Sequence, residues 1–331
     1  GRLAERLARA AAPTLATLPD GSVDRFCSVS AGARGPLPTL ESFGRELADG
    51  NRSTFRLRVE ATEPGGQSVN TAEQLHALGA DVTCYGHLDH PVFDDLAFET
   101  VSMGEPALVD AFNFPDGDVM FVEEPTTDGW TLADLEAVAD LASVFDVDAV
   151  ACANWVSFPG LGEAFHALDD LDLPRVPFLL DPGDVVGAEP AALGRLFDAL
   201  TALQGTFDVV YNANPPEIRA TAEAVAGPGD GPTEYAVAIR EAAGIEAVVV
   251  HGRRDAVAAT PDGTTVVENC DVDEPVRHTG GGDHFSGGLA YALALDWDWE
   301  LALACGNACA SYYVERGSVP TLDALRTSLE A

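Results

Sequence analysis

Apolar and polar residues follow two alternating patterns along most of the chain. From about residue 66 onward, segments with helical spacing alternate with short segments that are almost entirely apolar. The predicted helices cover residues 67–78, 131–142, 161–171, 188–203, 231–243, 283–295 and 299–316. The predicted strands cover residues 147–152, 176–180, 207–211 and 247–250. Apolar strands of this kind are buried on both faces, and their alternation with helices is typical of parallel sheets. The pattern predicts an α/β fold with a mostly parallel central sheet and helices on both of its faces.

The residues before this alternation show different patterns. Residues 1–18 combine Ala, Leu and Arg with helical spacing and lack the apolar stretch of a signal peptide, so we expect an accessory helix. No long helical pattern occurs between residues 23 and 66. Instead, residues 52–60 alternate with a period of two, which predicts a β-strand with one polar face. We therefore expect one α/β domain over residues 19–331, with a small β-sheet lid inserted at about residues 25–64.

Three arginines share one face of the predicted lid strand. Arg52, Arg56 and Arg58 have the same parity and therefore point the same way. They either pair with neighbouring carboxylates or form an anion site under the lid, and the pattern leaves both possibilities open. The opposite face of the strand is apolar, with Phe55, Leu57 and Val59. That face needs cover from the protein's own core or from a second copy in a homodimer.

Charge changes this picture more than any other property of the composition. The 331 residues include 54 acidic and 18 basic ones, which gives a net charge of −36, and every basic residue is Arg. Binding to nucleic-acid backbones or to anionic membranes is excluded, because both depend on basic patches. So large an acidic excess repels itself unless salt screens it, which favours the high-salt cytoplasm of a halophile. An acidic protein from an ordinary cell is the alternative, and the total absence of Lys argues against it.

The cysteines and the longest apolar runs add two expectations. The six cysteines are scattered without Cys-x-x-Cys spacing, which favours free thiols in a reducing compartment. No apolar run approaches the roughly 18 residues that a membrane-spanning helix needs. We therefore expect a soluble, intracellular protein.

The strongest chemical signal is the segment from His278 to Gly288, which leads into a helical pattern. Its glycines, Gly280, Gly281 and Gly282, let the backbone approach an anion, and the helix that follows offers free amides to it. A carboxylate would repel a bare phosphate. Asp283 is explained if it takes the proton from a hydroxyl that attacks phosphorus, while the glycine amides hold the developing charge. Helix capping would explain Asp283 alone, but not three glycines before it.

A second glycine motif lies at residues 64–80. Gly65 and Gly66 precede a helical pattern, and Asn70 lies on the first turn of that helix. The Asn70 amide could hydrogen-bond sugar hydroxyls as donor and acceptor. Alone, a glycine pair before a helix is more often only a turn. The glycine pair therefore indicates a function only in combination with the first glycine motif.

Together the two motifs resemble the signature regions of the ribokinase/PfkB family of carbohydrate kinases, and in particular its haloarchaeal members. The resemblance covers about residues 20 to 320. It implies a ribokinase-like α/β fold with a β-sheet lid and a kinase that transfers a phosphoryl group to a sugar hydroxyl. It also implies Mg²⁺ as the cofactor, small-molecule partners and a lid that pairs across a homodimer. For the phosphoryl donor, the pattern resembles the branch that uses ATP more than the one that uses ADP.

The resemblance implies roles for individual residues. Asp283 would be the catalytic base, and residues 280–282 would form the anion hole. Asn214 and Glu217 would act on magnesium through its bound water. The sugar would be bound by Asp24, Gly65, Gly66 and Asn70, with the lid arginines as further candidates. The nucleotide would contact Thr279, His251, Gly252 and Asn307.

Some positions depart from the family pattern. Family members that use a monovalent cation carry Asp two residues before the Thr of the second signature, whereas this chain has Arg277, which leaves potassium activation open. The usual glycine-and-acid stretch after the first helix is replaced by residues 86–91. This segment contains His87 and His90, and loop histidines of this kind are more often structural than ligands. Asp181 follows a predicted strand, and the sequence assigns it no role.

The acceptor is the least defined part of the prediction. A neutral sugar would be held by carboxylates and amides, whereas three arginines on one face of the lid favour an acceptor with its own anion. A phosphopentose is then the first choice, and the resemblance to haloarchaeal family members implies ribose 1-phosphate as the leading candidate. The alternatives are 2-keto-3-deoxygluconate, fructose 1-phosphate, ribose or a nucleoside. A non-catalytic sugar or nucleotide sensor is the alternative from another class.

Overall fold

The computed structural model describes residues 1–32, 35–50, 53–123, 125, 127, 129–169, 171–270, 272, 275–277 and 279–330. Arg52 of the predicted lid strand lies outside these residues. The helices are α1 (Arg2–Leu7), α2 (Leu40–Ala48), α3 (Gln67–Ala77), α4 (Leu132–Glu136), α5 (Leu141–Val144), α6 (Leu161–Asp169), α7 (Pro190–Leu203), α8 (Pro215–Val225), α9 (Pro232–Ala243), α10 (Gly281–Ala294), α11 (Trp299–Arg316) and α12 (Leu322–Glu330).

The strands form two sheets. They are β1 (Thr14–Leu18), β2 (Ser22–Ser30), β3 (Arg56–Gly65), β4 (Asp81–Gly86), β5 (Glu99–Ser102), β6 (Ala107–Phe114), β7 (Gly117–Glu123), β8 (Ala149–Ala153), β9 (Pro177–Asp181), β10 (Asp208–Ala213), β11 (Ala247–His251), β12 (Asp255–Thr260) and β13 (Gly263–Glu268).

The large sheet has nine strands in the order β13-β12-β11-β10-β9-β8-β1-β4-β5. All neighbours from β11 to β5 are parallel, and β12 and β13 complete one edge as antiparallel strands. Every residue of β8 is buried, as is expected of a strand covered on both faces. One apolar cluster lies under α6 and α7, and another lies under α3, α10 and α11 on the other face. The predicted α/β fold with a mostly parallel sheet is confirmed.

The prediction of a single helix over residues 1–18 is wrong beyond Leu7. Residues 14–18 form β1, which pairs in parallel with β4 on one side and β8 on the other. Leu15, Ala16 and Leu18 are buried there, so this run of alternating small and branched residues is a central strand. Only α1 matches the predicted helix, and it packs against α11 and α12. The predicted helix at residues 131–142 is also two shorter helices, α4 and α5.

The lid is larger than the predicted insertion at residues 25–64. Its sheet has the order β3-β2-β6-β7, so two of its four strands come from residues 107–123. It also contains α2, which lies in the segment where the sequence shows no long helical pattern. Phe43 is the buried residue of this helix. Phe43 packs against Phe112 and Phe114, and the ring of Phe55 meets it edge-on. Leu57 and Val59 lie beyond this small core and are 46% and 44% exposed.

No helix within the described part of the chain has both the length and the apolar character that crossing a membrane requires.

Candidate active site

A cleft of about 570 Å³ lies between the lid and the carboxyl edge of the large sheet. Asp20 follows β1 and Asn154 follows β8, so both stand where parallel strands end. Ligands of open α/β sheets bind at this edge. The lid contributes Asp24 from β2 and Glu63 from β3. The ends of the parallel strands therefore form one wall of the cleft, and the lid forms the opposite wall.

The glycine loop leads into α10 at one side of the cleft. Gly280 has a φ of 85°, and a Cβ there would lie 3.2 Å from the ring of Tyr313. A Cβ on Gly282 would lie 3.2 Å from Nε2 of His251. Glycine suits both positions, because the ring of Tyr313 leaves little room for a side chain at Gly280 and the ring of His251 leaves little room at Gly282. The first amides of the 14-residue α10 have no acceptor within the helix, which makes this loop suitable for an anion.

Asp283 lies in the first turn of α10 and faces the cleft. Its Oδ2 accepts a hydrogen bond of 2.7 Å from Nδ2 of Asn70, which lies on the first turn of α3. Burial raises the pKa of Asp283 to about 7; the Asn70 hydrogen bond opposes the rise, and the charges of Asp181 and Asp20 add to it. A carboxylate whose pKa lies near neutrality is suited to taking and releasing a proton. The hydrogen bond between Asn70 and Asp283 therefore joins the two glycine motifs of the sequence.

Asp20 is a site residue that the sequence did not reveal. It is 4% exposed, and its carboxylate accepts hydrogen bonds from the amides of Gln67 and Ser68 at 3.0 and 2.7 Å. It also accepts one from Nδ2 of Asn154 at 3.1 Å. Asp20 thus caps α3 from a distant part of the chain. Local sequence patterns cannot show such a contact, and the only signal was a Pro-Asp-Gly turn after residues 14–18.

The second glycine motif is explained by close contact between β2 and β3. A Cβ on Gly65 would collide with the Asp24 carboxylate, and a Cβ on Gly66 would lie 2.7 Å from Cα of Gly21. Asp24 lines the cleft and accepts a hydrogen bond of 2.5 Å from Oγ of Ser22. Burial raises the pKa of Asp24. The structure therefore places Asp24 where a sugar hydroxyl could reach it.

A buried polar network lies below the glycine loop. Nδ1 of His251 is 3.1 Å from Oδ1 of Asn212, whose Nδ2 donates to Oγ of Ser286 at 2.9 Å. Ser286 in turn donates to Asp181 at 3.2 Å. Burial raises the pKa of Asp181 and lowers that of His251. Asp181, to which the sequence assigned no role, is therefore linked to the start of α10 through Ser286 and to the cleft residue Gln67, whose Nε2 donates to it at 3.1 Å.

Asn214 and Glu217 form a reciprocal cap at the start of α8. Oδ1 of Asn214 accepts from the Glu217 amide at 3.1 Å, and Oε2 of Glu217 accepts from the Asn214 amide at 2.8 Å. Burial raises the pKa of Glu217 to about 8, and the charges of Asp181 and Asp184 contribute. A cation would relieve this repulsion. Hard oxygen donors of this kind fit hydrated Mg²⁺.

The described residues contain no group of three or more His, Cys, Asp or Glu side chains arranged to hold a metal ion. A hydrated Mg²⁺ keeps much of its own water and needs few direct protein ligands. The residues present therefore fit the predicted cofactor through Glu217 and its acidic neighbours.

Two further residues of the predicted nucleotide side have structural contacts. Nδ2 of Asn307 donates to the carbonyl of Val267 at 3.1 Å, so this amide holds β13 against α11. The amide of Gly252 donates to the carbonyl of Asp255 at 2.9 Å in the turn between β11 and β12. Neither residue lines the cleft, whereas Thr279 does.

Arg56 and Arg58, the two arginines of the predicted lid strand that the structure describes, are not brought to the cleft. Arg56 and Arg58 are exposed, pair with Ser30 and Ser28 of β2, and are absent from the lining of the cleft. Arg58 is five residues along β3 from Glu63, roughly 16 Å at the usual rise of a strand. The guanidinium in the cleft belongs instead to Arg277. The interpretation of the strand as an anion site therefore has no support from the geometry.

The two loop histidines have structural partners. His87 is buried, its Nδ1 is 3.1 Å from the carbonyl of Pro19, and its ring lies on Phe158. His90 accepts a hydrogen bond from the amide of Val92 at 3.1 Å and caps the short 3-10 helix Pro91–Phe93. These contacts agree with the structural interpretation of both residues.

The parallel sheet and its four-stranded lid form a ribokinase-like fold, and the match to a family of sugar kinases gives the class of protein. Comparison with known proteins gives the family: residues 20–331 match the model of the prokaryotic ketohexokinase family. The chain belongs to this family, and its assignment to the PfkB carbohydrate kinases of haloarchaeal type is confirmed.

Individual relatives agree with this assignment. The chain is 30% identical to a ketohexokinase of Haloferax volcanii over 332 aligned positions, which cover 93% of this chain and 88% of the relative. A ribokinase from Thermotoga maritima has a TM-score of 0.71 at 15% identity, with coverage of 96% of this chain and 100% of that one. A ribokinase from Arabidopsis thaliana, solved with ribose and ATP, has a TM-score of 0.68 at 15% identity, with coverage of 97% and 100%. At such low identity these two structures show the fold alone.

Proposed function

We propose that the protein is an ATP- and Mg²⁺-dependent ketohexokinase, which transfers the γ-phosphoryl group of ATP to a hydroxyl of a neutral ketohexose such as fructose. The observation that carries this proposal is the charge of the cleft. Among the described residues that line it, six carboxylates face one arginine. Carboxylates and amides accept and donate hydrogen bonds to sugar hydroxyls, but carboxylates repel an anionic acceptor.

The chemistry assigns a proton transfer to Asp283. Its carboxylate takes the proton of the attacking hydroxyl as the oxygen–phosphorus bond forms and the bond from the γ-phosphorus to the bridging oxygen of ADP breaks. Asn70 holds Oδ2, which fixes the orientation of the carboxyl group. The amides of the glycine loop face the charge that develops on the transferred group. Asn214 and Glu217 would hold hydrated Mg²⁺, which supplies neutralisation of the phosphate charge.

The choice of a ketohexose replaces ribose 1-phosphate as the leading candidate. The anionic acceptor rested on arginines of the lid strand, and Arg56 and Arg58 do not line the cleft. The family match and the Haloferax relative are both described as ketohexokinases. A neutral hexose also agrees with Asp20, Asp24 and Asn154 as the polar groups nearest the strand ends.

A panel of acceptors tests the proposal. The purified protein is assayed with ATP and Mg²⁺ in molar KCl against fructose, ribose, inosine, ribose 1-phosphate, fructose 1-phosphate and 2-keto-3-deoxygluconate. We expect the highest kcat/KM with fructose and at least 10-fold lower values with each phosphorylated sugar, one tenfold step being about 1.4 kcal/mol. A phosphorylated sugar as the best substrate would overturn the acceptor class. No turnover of any acceptor would favour the non-catalytic sensor.

A further inference from the structure

Arg277 is the one arginine among the described residues that line the cleft, and it lies between the core and the lid. In a chain with 54 acidic residues and no lysine, a half-buried guanidinium at this place needs a specific explanation. Its contacts with each side supply one.

Arg277 is anchored to the core. Its amide donates to the carbonyl of Val314 in α11 at 3.2 Å, and its Nη1 donates to the hydroxyl of Tyr313 at 3.1 Å. The Tyr313 ring packs on Gly280 of the glycine loop and lies 3.8 Å from the ring of His284. The guanidinium is therefore joined, through one tyrosine, to the loop that precedes Asp283.

Arg277 also reaches two adjacent strands of the lid, β3 at the edge and β2 beside it. Its Nη2 lies 3.4 Å from Oε2 of Glu63 on β3. Its guanidinium lies over the ring of Phe26 on β2, with 5.2 Å between Cζ and the ring centroid. These contacts connect the lid to the core across the acceptor side of the cleft.

The same guanidinium balances charge inside the cleft. Burial raises the pKa values of Asp24 and Glu73, and the positive charge of Arg277 opposes both shifts. The guanidinium already forms an ion pair with Glu63 and a hydrogen bond with the hydroxyl of Tyr313. An anionic acceptor would have to displace Glu63 before it could use this charge, whereas a neutral sugar leaves the pair intact.

We propose that Arg277 is a positioning and specificity-determining residue: its pairing with Glu63 and Tyr313 holds the lid over a neutral acceptor and withholds the guanidinium from an anionic one. The inference rests on the proposed function for the class of acceptor. The link between lid and core does not depend on it.

The first experiment compares Arg277→Gln with the parent. We expect the KM for the sugar to rise about 5- to 10-fold, since a partly exposed ion pair contributes about 1 kcal/mol. The kcat should change less than about 3-fold, and the KM for ATP should not change. Hydrogen exchange without any ligand should become faster in β2 and β3. This last readout is independent of the acceptor, so it separates failure of the link from failure of the proposed function.

Arg25→Gln is the matched control. Arg25 pairs with Asp110 at 2.7 Å, a better ion pair than that of Arg277, but both partners lie in the lid. This variant should leave the KM for the sugar within about 2-fold. An equal effect of the two substitutions would mean that general weakening of the lid, not the link to the core, explains the result.

Three more variants test the partners. Tyr313→Phe keeps the ring on Gly280 and removes the hydroxyl, so it should reproduce part of the Arg277→Gln effect. The exchanged pair Arg277→Glu with Glu63→Arg should recover at least half of the lost sugar affinity. Glu63→Gln should release the guanidinium and raise the kcat/KM for fructose 1-phosphate relative to fructose. Two results would overturn the proposal. One is a ratio of kcat/KM for fructose 1-phosphate to that for fructose that does not change in Glu63→Gln. The other is a rate of hydrogen exchange in β2 and β3 that does not change in Arg277→Gln.

Discussion

Asp283 concentrates the proposed chemistry in a single residue, because its position in the first turn of α10 joins a proton acceptor to an anion-binding loop. We expect Asp283→Asn to lower kcat roughly 10²- to 10⁴-fold, the usual contribution of a positioned base. Binding of ATP, measured by calorimetry, should remain within a few-fold. The thermal midpoint should not fall, since the substitution removes a buried charge.

Asp198→Asn provides the control for this substitution. Asp198 is exposed on α7, so its replacement should leave kcat unchanged. Retention of more than a tenth of the parent kcat in Asp283→Asn would show that another group takes the proton.

Protonation of the same carboxylate should determine the pH profile. A base acts when it is deprotonated, and the pKa of Asp283 is raised to about 7, so activity should rise with pH through about 7. The Asn70 amide stabilises the ionised carboxylate. Asn70→Ala should therefore move the midpoint of the kcat profile to higher pH. A midpoint that moves down or stays in place would contradict the assigned hydrogen bond.

At the scale of residues, the sequence indicated the groups that lie in motifs and missed the groups that act from elsewhere. Asp283, Asn70 and Asp24 stand in recognisable patterns, and the structure brings all three to the cleft. Asp20 and Arg277 acquire their significance from contacts with distant parts of the chain. Such contacts are made by the tertiary fold, so a local pattern cannot show them.

At the scale of elements, the junction between the lid and α3 depends on Gly66. Its φ is 101°, and a Cβ would lie 2.7 Å from Cα of Gly21. Gly66→Ala should cost about 1–3 kcal/mol for the backbone conformation alone, and the contact adds to this. We expect a lower thermal midpoint and a loss of sugar affinity.

Gly44 on α2 offers the opposite case. It has an ordinary helical backbone, and nothing lies within 4 Å of an added Cβ. Gly44→Ala should leave stability unchanged or increase it by up to about 1 kcal/mol. Similar thermal midpoints for the two alanine variants would contradict the close approach at Gly66.

The cap of α8 allows structure and charge to be separated. Glu217→Gln keeps an oxygen that can accept from the Asn214 amide and removes the negative charge. The Mg²⁺ concentration that gives half-maximal activity should rise about 10-fold, while the thermal midpoint changes little. Asn214→Ala should instead lose stability, about 1 kcal/mol for a helix cap. A Glu217→Gln variant with an unchanged Mg²⁺ requirement would remove this residue from the metal site.

Elements were predictable where the pattern was long or wholly apolar. The strands β8 to β11 and the helices α3, α7, α10 and α11 lie where periodicity placed them. The lid was less predictable because β6 pairs with β2 across a large sequence separation, and β7 joins the sheet only through β6. The helix α2 has apolar residues at helical spacing, Leu40, Phe43 and Leu47, but at nine residues it is too short to form a long helical pattern.

The charge of the whole molecule makes a prediction about salt. A net charge of −36 destabilises the compact state, and raising ionic strength shortens the Debye length from about 10 Å at 0.1 M to about 3 Å at 1 M. Thermal midpoint and activity should both rise steeply over this range of KCl. Equal ionic strengths of NaCl should restore stability equally if screening is the cause. Recovery with K⁺ alone would indicate a specific potassium site.

The position of β1 has a consequence for the order of assembly. This strand lies inside the nine-stranded sheet, third from the β5 edge, and Leu15 pairs with Val82 on one side and with Ala149 on the other. During synthesis it leaves the ribosome well before either neighbour exists, and pairing over such separations is slow. An apolar strand that waits for its partners is exposed to aggregation. The part of the sheet around β1 is therefore completed only after β8 has emerged, and the apolar side chains of β1 stay uncovered until then.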